Sequence, residues 1–388
     1  MYPALAVLRA LTEGESVPAA DGERSIDEDR ERPGLAGENR SQPEVLWVGG
    51  EGGMEADLIQ REQVPFETIP AAGLHGVGWR QLPKNIWQIA RGALAARRIL
   101  RRFRPEVMLF TGGFVAVPVA VAGRLPGIRQ KRPANLLFVP DIEPGLALKT
   151  LACFADRIAL TAEESRRFFS KSAALTVTGY PTRQDLREWA LDQARQALGL
   201  KSDLFTLLVF GGSKGARSIN RALLAILPVL LEEVQVVHIS GHLDWAEVDA
   251  ARSSLEARLG ERYHAFPYLH AEMGAALRAA DLVVSRAGAS VLGEYPLFGL
   301  PAILVPYPYA WRYQEVNARY LEQRGAALVI EDADLTSQLL EAIQALLHDP
   351  GRWTRMAQAM RSLDRPEAAQ KIGNLLRQLA PAQEAGRS

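Results

Sequence analysis

The sequence has one cysteine, Cys153. That excludes an intramolecular disulfide framework and a cysteine-based metal site, and it suits a reducing compartment. Net charge is also missing: 45 Lys and Arg stand against 45 Asp and Glu. No global field therefore draws the chain to nucleic acid, and any anionic ligand has to be met by local groups. No stretch reaches the roughly 18–20 apolar residues of a transmembrane helix. The early run "ALAVLRAL" is short and lacks a basic leader, so it does not read as a signal peptide. The histidines are scattered, and an Asp-x-Asp metal clamp occurs only as Asp332 to Asp334, late and in a polar loop. Together these absences point to a soluble protein in which no metal-ligand cluster is legible.

What is present is regular. At 388 residues with 48% hydrophobic content, the chain calls for two domains with real cores. "MYPALAVLRALTEG" opens with Pro3 ahead of an apolar helical period, the signature of a helix start. Residues 11–42 are polar, acid-rich and aperiodic, which predicts a disordered acidic insert. Buried-type strands then alternate with helices: "EVLWVGG", "FETIP", a long helix from Leu82 to Phe103, "EVMLFTGG", "ANLLFVPD", "DRIALT" and "ALTVTGYP". After "TRQDLREWALDQARQALGLKSD", read as a helix and linker, a second series follows: "LFTLLVFGGS", "VQVVHISG", "YHAFPYL", "DLVVSRAG", "PAILVPYP" and "AALVIED". Three helical stretches close the chain, from Leu335 to about Ala380. Apolar strands alternating with helices predict an α/β fold with two doubly wound, Rossmann-like domains. The expected divisions are residues 1–183, 184–364, and a terminal helix and tail over 365–388 that returns to the first domain.

Ligands in such sheets sit at the carboxyl ends of strands, where the glycine-rich turns lie. "LLVFGGSKGARSIN" puts Gly211, Gly212, Ser213 and Gly215 between a strand and a helix, with backbone amides available to a phosphate; a plain tight turn is the alternative. "DLVVSRAGASVLGEYPLFGLP" is more specific. Arg286 to Ala289 form the turn, and Glu294 stands in the following helix among Val291, Leu292 and Leu297. A carboxylate there can accept both hydroxyls of a ribose; the alternative is an ordinary helix-surface glutamate. In "PAILVPYPYAWRYQEVNARYLEQRGAA", Gln314 can bond sugar hydroxyls, although Gln and Asn near a helix start usually cap it. "VTGYPTR" supplies Arg183 as a cation. Three glycine-rich strand ends, a ribose-type carboxylate and two facing domains suit a nucleotide-sugar enzyme.

These stretches resemble the MurG-type glycosyltransferases, which move N-acetylglucosamine (GlcNAc) from UDP-GlcNAc to undecaprenyl-pyrophosphoryl-MurNAc-pentapeptide, converting lipid I to lipid II in peptidoglycan synthesis. The likeness rests on "YPALAV", "GMEADL", "FTGGFVAVPVAVA", "PGLALK", "TGYPTR", "GGSKGARSIN", "SRAGASVLGE" and "YQEVNA", and covers nearly the whole chain except the acidic insert. It implies a GT-B fold, an inverting and metal-independent transferase with no cofactor, and peripheral attachment to the cytoplasmic face of the plasma membrane. It further implies a UDP-sugar donor site made by Asp141, Arg183, Ser213, Leu269, Arg286, Ala289, Ser290, Val291, Leu292, Gly293, Glu294 and Gln314. Glu294 would take the ribose, Arg183 the diphosphate and Gln314 the GlcNAc hydroxyls. The membrane segment would be "WRQLPKNIWQIARGALAARRILRRFR", with Ile86, Trp87 and Ile89 among Arg80, Lys84, Arg91, Arg97 and Arg98; its second half also reads as a helix packed on its own sheet.

The sequence departs from the family pattern in three places. The family's opening strand and GGxGGH loop, whose histidine is a candidate base, have no counterpart before Tyr2, so the first domain is read as truncated at its start. The expectation is either that the protein extends upstream or that this is a short form, which binds the donor and turns it over slowly. The family's HEQNxxPG is here "FVPDIEPG", with Asp141 in the asparagine's place and first in line as a substitute base. The family's His-Gln is here Tyr313-Gln314. A related GT-B transferase with another lipid acceptor, or a non-catalytic UDP-sugar-binding subunit, stays open on these changes.

Overall fold

The computed structural model describes residues 1–12, 43–52, 59–71, 82–125, 132–212, 215–309 and 312–380. The helix start at Pro3 is α1 (Tyr2–Thr12), which buries Leu5, Ala6 and Val7. It runs through Leu11 and Thr12, the first two residues of the expected insert; residues 13–42 lie outside the described residues. Two short parallel strands follow, β1 (Trp47–Gly50) and β2 (Phe66–Ile69). Then come α2 (Leu82–Phe103), β3 (Val107–Phe110), α3 (Ala116–Arg124), β4 (Ala134–Val139), α4 (Leu146–Ala152), β5 (Arg157–Leu160) and β6 (Leu175–Val177). Strands β3 to β6 form a parallel sheet in sequence order.

The strands of this sheet are apolar throughout because both faces are covered. Along β4 successive side chains point to opposite faces. Leu137 and Val139 join Ala96, Ile99, Leu100 and Ala120 of α2 and α3. Leu136 and Phe138 meet Val7 of α1 and Ile372, Leu375 and Leu376 of the last helix. The chain's two terminal helices thus pack together on one face of the first sheet.

The linker departs from a single helix. A 3₁₀ turn over Gln184–Arg187 ends, Ala190 is extended, and α5 (Leu191–Ala197) starts afresh. Trp189 accounts for the break: its indole lies where a Cβ on Gly274 would come within 2.8 Å of it, so the chain turns to insert the ring against that glycine.

The second sheet uses β7 (Thr206–Phe210), α6 (Arg217–Leu230), β8 (Gln235–Ile239), α7 (Trp245–Ser253), α8 (Ala257–Gly260), β9 (Tyr263–Phe266), α9 (Met273–Ala279), β10 (Leu282–Ser285), α10 (Val291–Phe298), β11 (Ala302–Leu304), α11 (Tyr313–Glu322) and β12 (Ala327–Val329). Helices α12 (Leu335–Leu347), α13 (Pro350–Ser362) and α14 (Ala368–Leu379) complete the chain. The six strands are all parallel in the order β12-β11-β10-β7-β8-β9. Strand order reverses between β7 and β10, and the loops leaving those two strands diverge there into a crevice. The two glycine-rich turns singled out in the sequence are those loops.

Candidate functional site: a crevice between two sheets

The turn after β10 is built from the inside out. The Ser285 hydroxyl lies 2.6 Å from the Tyr295 hydroxyl, tying the strand end to the helix that follows. Val291 and Leu292 are buried in the core, so anything they offer a ligand is main chain. Their amides already donate to the carbonyls of Gly288 and Ala289. Gly293 allows close approach of the first domain: a Cβ there would stand 2.5 Å from Tyr180 and 3.0 Å from Thr182. Ala289 packs against the cluster containing Phe138 and Tyr180. The turn therefore faces the first domain across a narrow seam.

Glu294 sits in that seam. Its carboxyl is desolvated and pushed up from 4.5 to about 7, against the lowering pull of Arg183 and a hydrogen bond from Ser290. The unfolded chain releases this proton near pH 4.5 and the folded chain near 7, so the fold loses stability as pH rises across that interval. Desolvated carboxyls of this kind cluster at functional sites, which makes Glu294 a candidate ligand group.

Arg183 is the cation facing it. The guanidinium lies 4.3 Å from the centre of the Tyr2 ring and 3.4 Å from Asp185. Its Nε is buried and has no hydrogen-bond partner among the described residues.

Arg286 is differently employed. It donates to the carbonyls of Val305 and Pro306, to Asp332 at 2.5 Å and to the Ser218 hydroxyl at 2.8 Å, and lies over the Tyr307 ring. Its guanidinium braces the ends of β10 and β11 and the start of α6, so it shapes the turn rather than presenting a free cation. The late Asp-x-Asp motif is absorbed by the same brace through Asp332.

The turn after β7 carries Gly211, Gly212 and Gly215; Ser213 lies outside the described residues. Gly215 has φ +74°, and a Cβ there would meet the Ser240 carbonyl oxygen at 2.4 Å. Ser240 is held from below by a buried polar chain. Asn220 donates to the Ser240 carbonyl and to Asp244, and its Oδ1 lies 3.0 Å from His238, whose other ring nitrogen meets the Tyr263 hydroxyl. Burial pushes His238 down to about 3, so it is neutral. His238 and His242 stand four residues apart, but on a strand and its loop, and the first is fully engaged. Among the described residues no group of three or more His, Cys, Asp or Glu side chains could hold a metal ion.

Leu269 follows β9 and is half-buried against the core. Gln314 opens α11, its Oε1 accepting from the Tyr307 amide at 2.9 Å. Asp141 and Asn317 meet: Asn317 donates to the Asp141 carboxylate at 2.9 Å and accepts from the Ile142 amide at 3.0 Å. Asp185, Tyr2 and Asn317 are site neighbours that sequence reasoning did not select, although the last two fall inside motifs quoted for the resemblance.

On α2, Trp87 and Leu94 are exposed on one stripe with Arg91, Arg98 and Arg101, while Ala96, Ile99 and Leu100 are buried. The second half of this helix thus packs on its own domain, and Ile89 is half-buried. Arg80 and the side chains of Lys84 and Ile86 lie outside the described residues. No described helix is long and apolar enough to cross a membrane.

Residues 206–372 match the model of the glycosyltransferase family 28 C-terminal domain, and residues 39–131 match that family's N-terminal domain. A relative from Roseiflexus sp. (strain RS-1), named UDP-N-acetylglucosamine--N-acetylmuramyl-(pentapeptide) pyrophosphoryl-undecaprenol N-acetylglucosamine transferase, is 41% identical over 98% of this chain and 92% of its own length. One of the same name from Desulforudis audaxviator is 38% identical over 90% of this chain and 95% of its own. The crystal structure of Acinetobacter baumannii MurG superposes with a TM-score of 0.66 at 24% identity, covering 86% of this chain and 91% of the other, a likeness of fold.

Proposed function

The chain belongs to glycosyltransferase family 28, and from that premise we propose that it transfers N-acetylglucosamine from UDP-GlcNAc to a polyprenyl-diphosphoryl-MurNAc-pentapeptide. The observation that carries the donor assignment is the desolvated carboxyl of Glu294 facing Arg183 across the seam. In this reading Glu294 accepts the ribose hydroxyls, and main-chain groups of Gly288 to Leu292 line the nucleotide. Leu269 lies beside the base, Gln314 meets the sugar, and the Ser213 turn flanks the phosphates.

Catalysis then rests on the leaving group. As the acceptor hydroxyl, losing its proton to a general base, attacks the anomeric carbon from the opposite face, the bond to UDP breaks and negative charge grows on the departing diphosphate. Arg183, with its unpartnered Nε, stands where it can hold that charge. Burial pushes the Asp141 carboxyl up, which strengthens it as a base, while its Oδ1 is already engaged by Asn317.

A lipid-linked acceptor requires work at a membrane surface. The exposed Trp87 and Leu94 among arginines on α2 supply an amphipathic stripe for the cytoplasmic leaflet.

The donor assignment is tested by calorimetric titration with UDP. Above pH 7, where the carboxyl is ionised, Glu294→Ala removes a charged acceptor worth about 1.5–3 kcal/mol, or roughly 10- to 150-fold in affinity. Equal affinities for wild type and variant would remove Glu294 from the ribose.

A further inference from the structure

Asn317 is fully buried and uses both ends of its amide. Its Oδ1 accepts from the Ile142 amide at 3.0 Å, and its Nδ2 donates to Asp141 at 2.9 Å and to the Ala287 carbonyl at 3.2 Å. Ile142 and Asp141 lie in the loop after β4, in the first sheet's domain. Ala287 lies in the turn after β10, and Asn317 itself is on α11, both in the second. One side chain thus joins the donor turn, its flanking helix and the opposite domain. Around it the seam is apolar, with Ile142 buried in the cluster that holds Val291, Leu292 and Tyr295. A cavity of about 390 Å³ opens beside it, lined by Ile142, Glu164 and Arg167 on one side and Arg312, Arg319 and Tyr320 on the other. Other polar contacts across this side are ion pairs, Arg324 with Glu164 and Arg312 with Glu143 at 3.3 Å. The Arg312 side chain is 66% exposed, and surface pairs of this kind contribute little.

We propose that Asn317 is the positioning residue that latches the two domains over the donor, with Asp141 as its partner in the opposite domain. It acts through the Ala287 turn and does not touch reacting atoms. The same contact gives Asp141 a use other than proton abstraction, since its carboxylate is the acceptor half of the latch.

The hydrogen-bond pattern can be exchanged. Asn317→Asp keeps an acceptor for Ile142 but sets one carboxylate against another. Adding Asp141→Asn restores the donor–acceptor pair across the seam with the roles reversed, and leaves the Ala287 carbonyl without its donor. Two readouts separate the latch from the transferase reading on which its turnover effect rests. The first is turnover with UDP-GlcNAc and the lipid acceptor. The second is the interdomain distance distribution, from spin labels on the exposed native Cys153 and on Ser253→Cys in α7, with UDP present. In Asn317→Asp, kcat should fall by about tenfold or more and the distribution should broaden. UDP affinity should change less than kcat, because most donor contacts lie within one domain. The swap of both residues should restore the narrow distribution and part of kcat, the bond to the Ala287 carbonyl remaining lost. If the single variant is too unstable to purify, the swap decides: a folded, narrow-distribution protein supports the latch. A single variant with a wild-type distribution, or a swap that stays broad or unfolded, overturns it. A swap that closes normally but has no turnover, beside an active wild type, would return Asp141 to the role of base and overturn its assignment as a latch partner alone.

Discussion

Replacing Arg183 with alanine lowers kcat by ~10²- to 10³-fold, the usual loss when one preorganised donor to developing charge is removed. The physical case starts from position. Arg183 is the cation opposite Glu294, its side chain only 18% exposed and its Nε buried without a partner among the described residues. The Tyr2 ring, 4.3 Å from the guanidinium, and Asp185 hold it in place before any ligand arrives. A donor's diphosphate carries part of its charge already, and more appears as the glycosidic bond breaks. An interaction that strengthens along this path lowers kcat more than it raises KM when removed. Steady-state kinetics on Arg183→Ala and Arg183→Lys check this, with lysine recovering part of the loss as a point charge. A variant with unchanged kcat and a raised KM alone would make Arg183 a ground-state binding group.

The second large effect is on stability. Gly215→Ala should destabilise the second domain by several kcal/mol, well beyond the ~1–2 kcal/mol of placing an L-residue at positive φ. Gly215 has φ +74°, and its added Cβ would lie 2.4 Å from the Ser240 carbonyl oxygen. That oxygen cannot retreat cheaply, since Asn220 donates to it and is itself pinned by Asp244 and His238. Gly325 provides the matched control: φ is +69° and nothing lies within 4 Å of a new Cβ. Denaturant unfolding of Gly215→Ala and Gly325→Ala separates the clash from the backbone term. Equal losses would mean that the Ser240 contact is soft and that the turn after β7 is not held as described.

The fold was legible because it is written in local terms. Each apolar run ending in glycine became a parallel strand, and the long helix begins at Leu82 and ends at Phe103 as its pattern predicts. Glu294 was legible for a related reason: its neighbours in sequence, Val291 and Leu292, are apolar and buried, so a carboxylate among them is conspicuous. The residues that were hidden depend on distant partners. Asn317 reads locally as a helix-start residue, and its partner Asp141 is 176 positions away. Arg286 reads locally as part of a glycine turn, and its partners Ser218 and Asp332 lie 68 and 46 positions away. The break at Trp189 is hidden in the same way, since its ring packs on the distant Gly274. Sequence spacing reports which groups share a turn, and it is silent on which groups close a seam between two sheets.

The central claim is the transfer reaction itself, and one assay meets it directly. The protein is incubated with labelled UDP-GlcNAc and a detergent-dispersed polyprenyl-diphosphoryl-MurNAc-pentapeptide, in excess EDTA. The account predicts that label passes to the lipid fraction and UDP is released only when the acceptor is present. It also predicts that added magnesium or manganese leaves the rate unchanged, because Arg183 and main-chain groups hold the diphosphate. No label in the lipid, with UDP still bound at Glu294, would contradict the acceptor assignment; turnover lost in EDTA and restored by a divalent cation would contradict the mechanism.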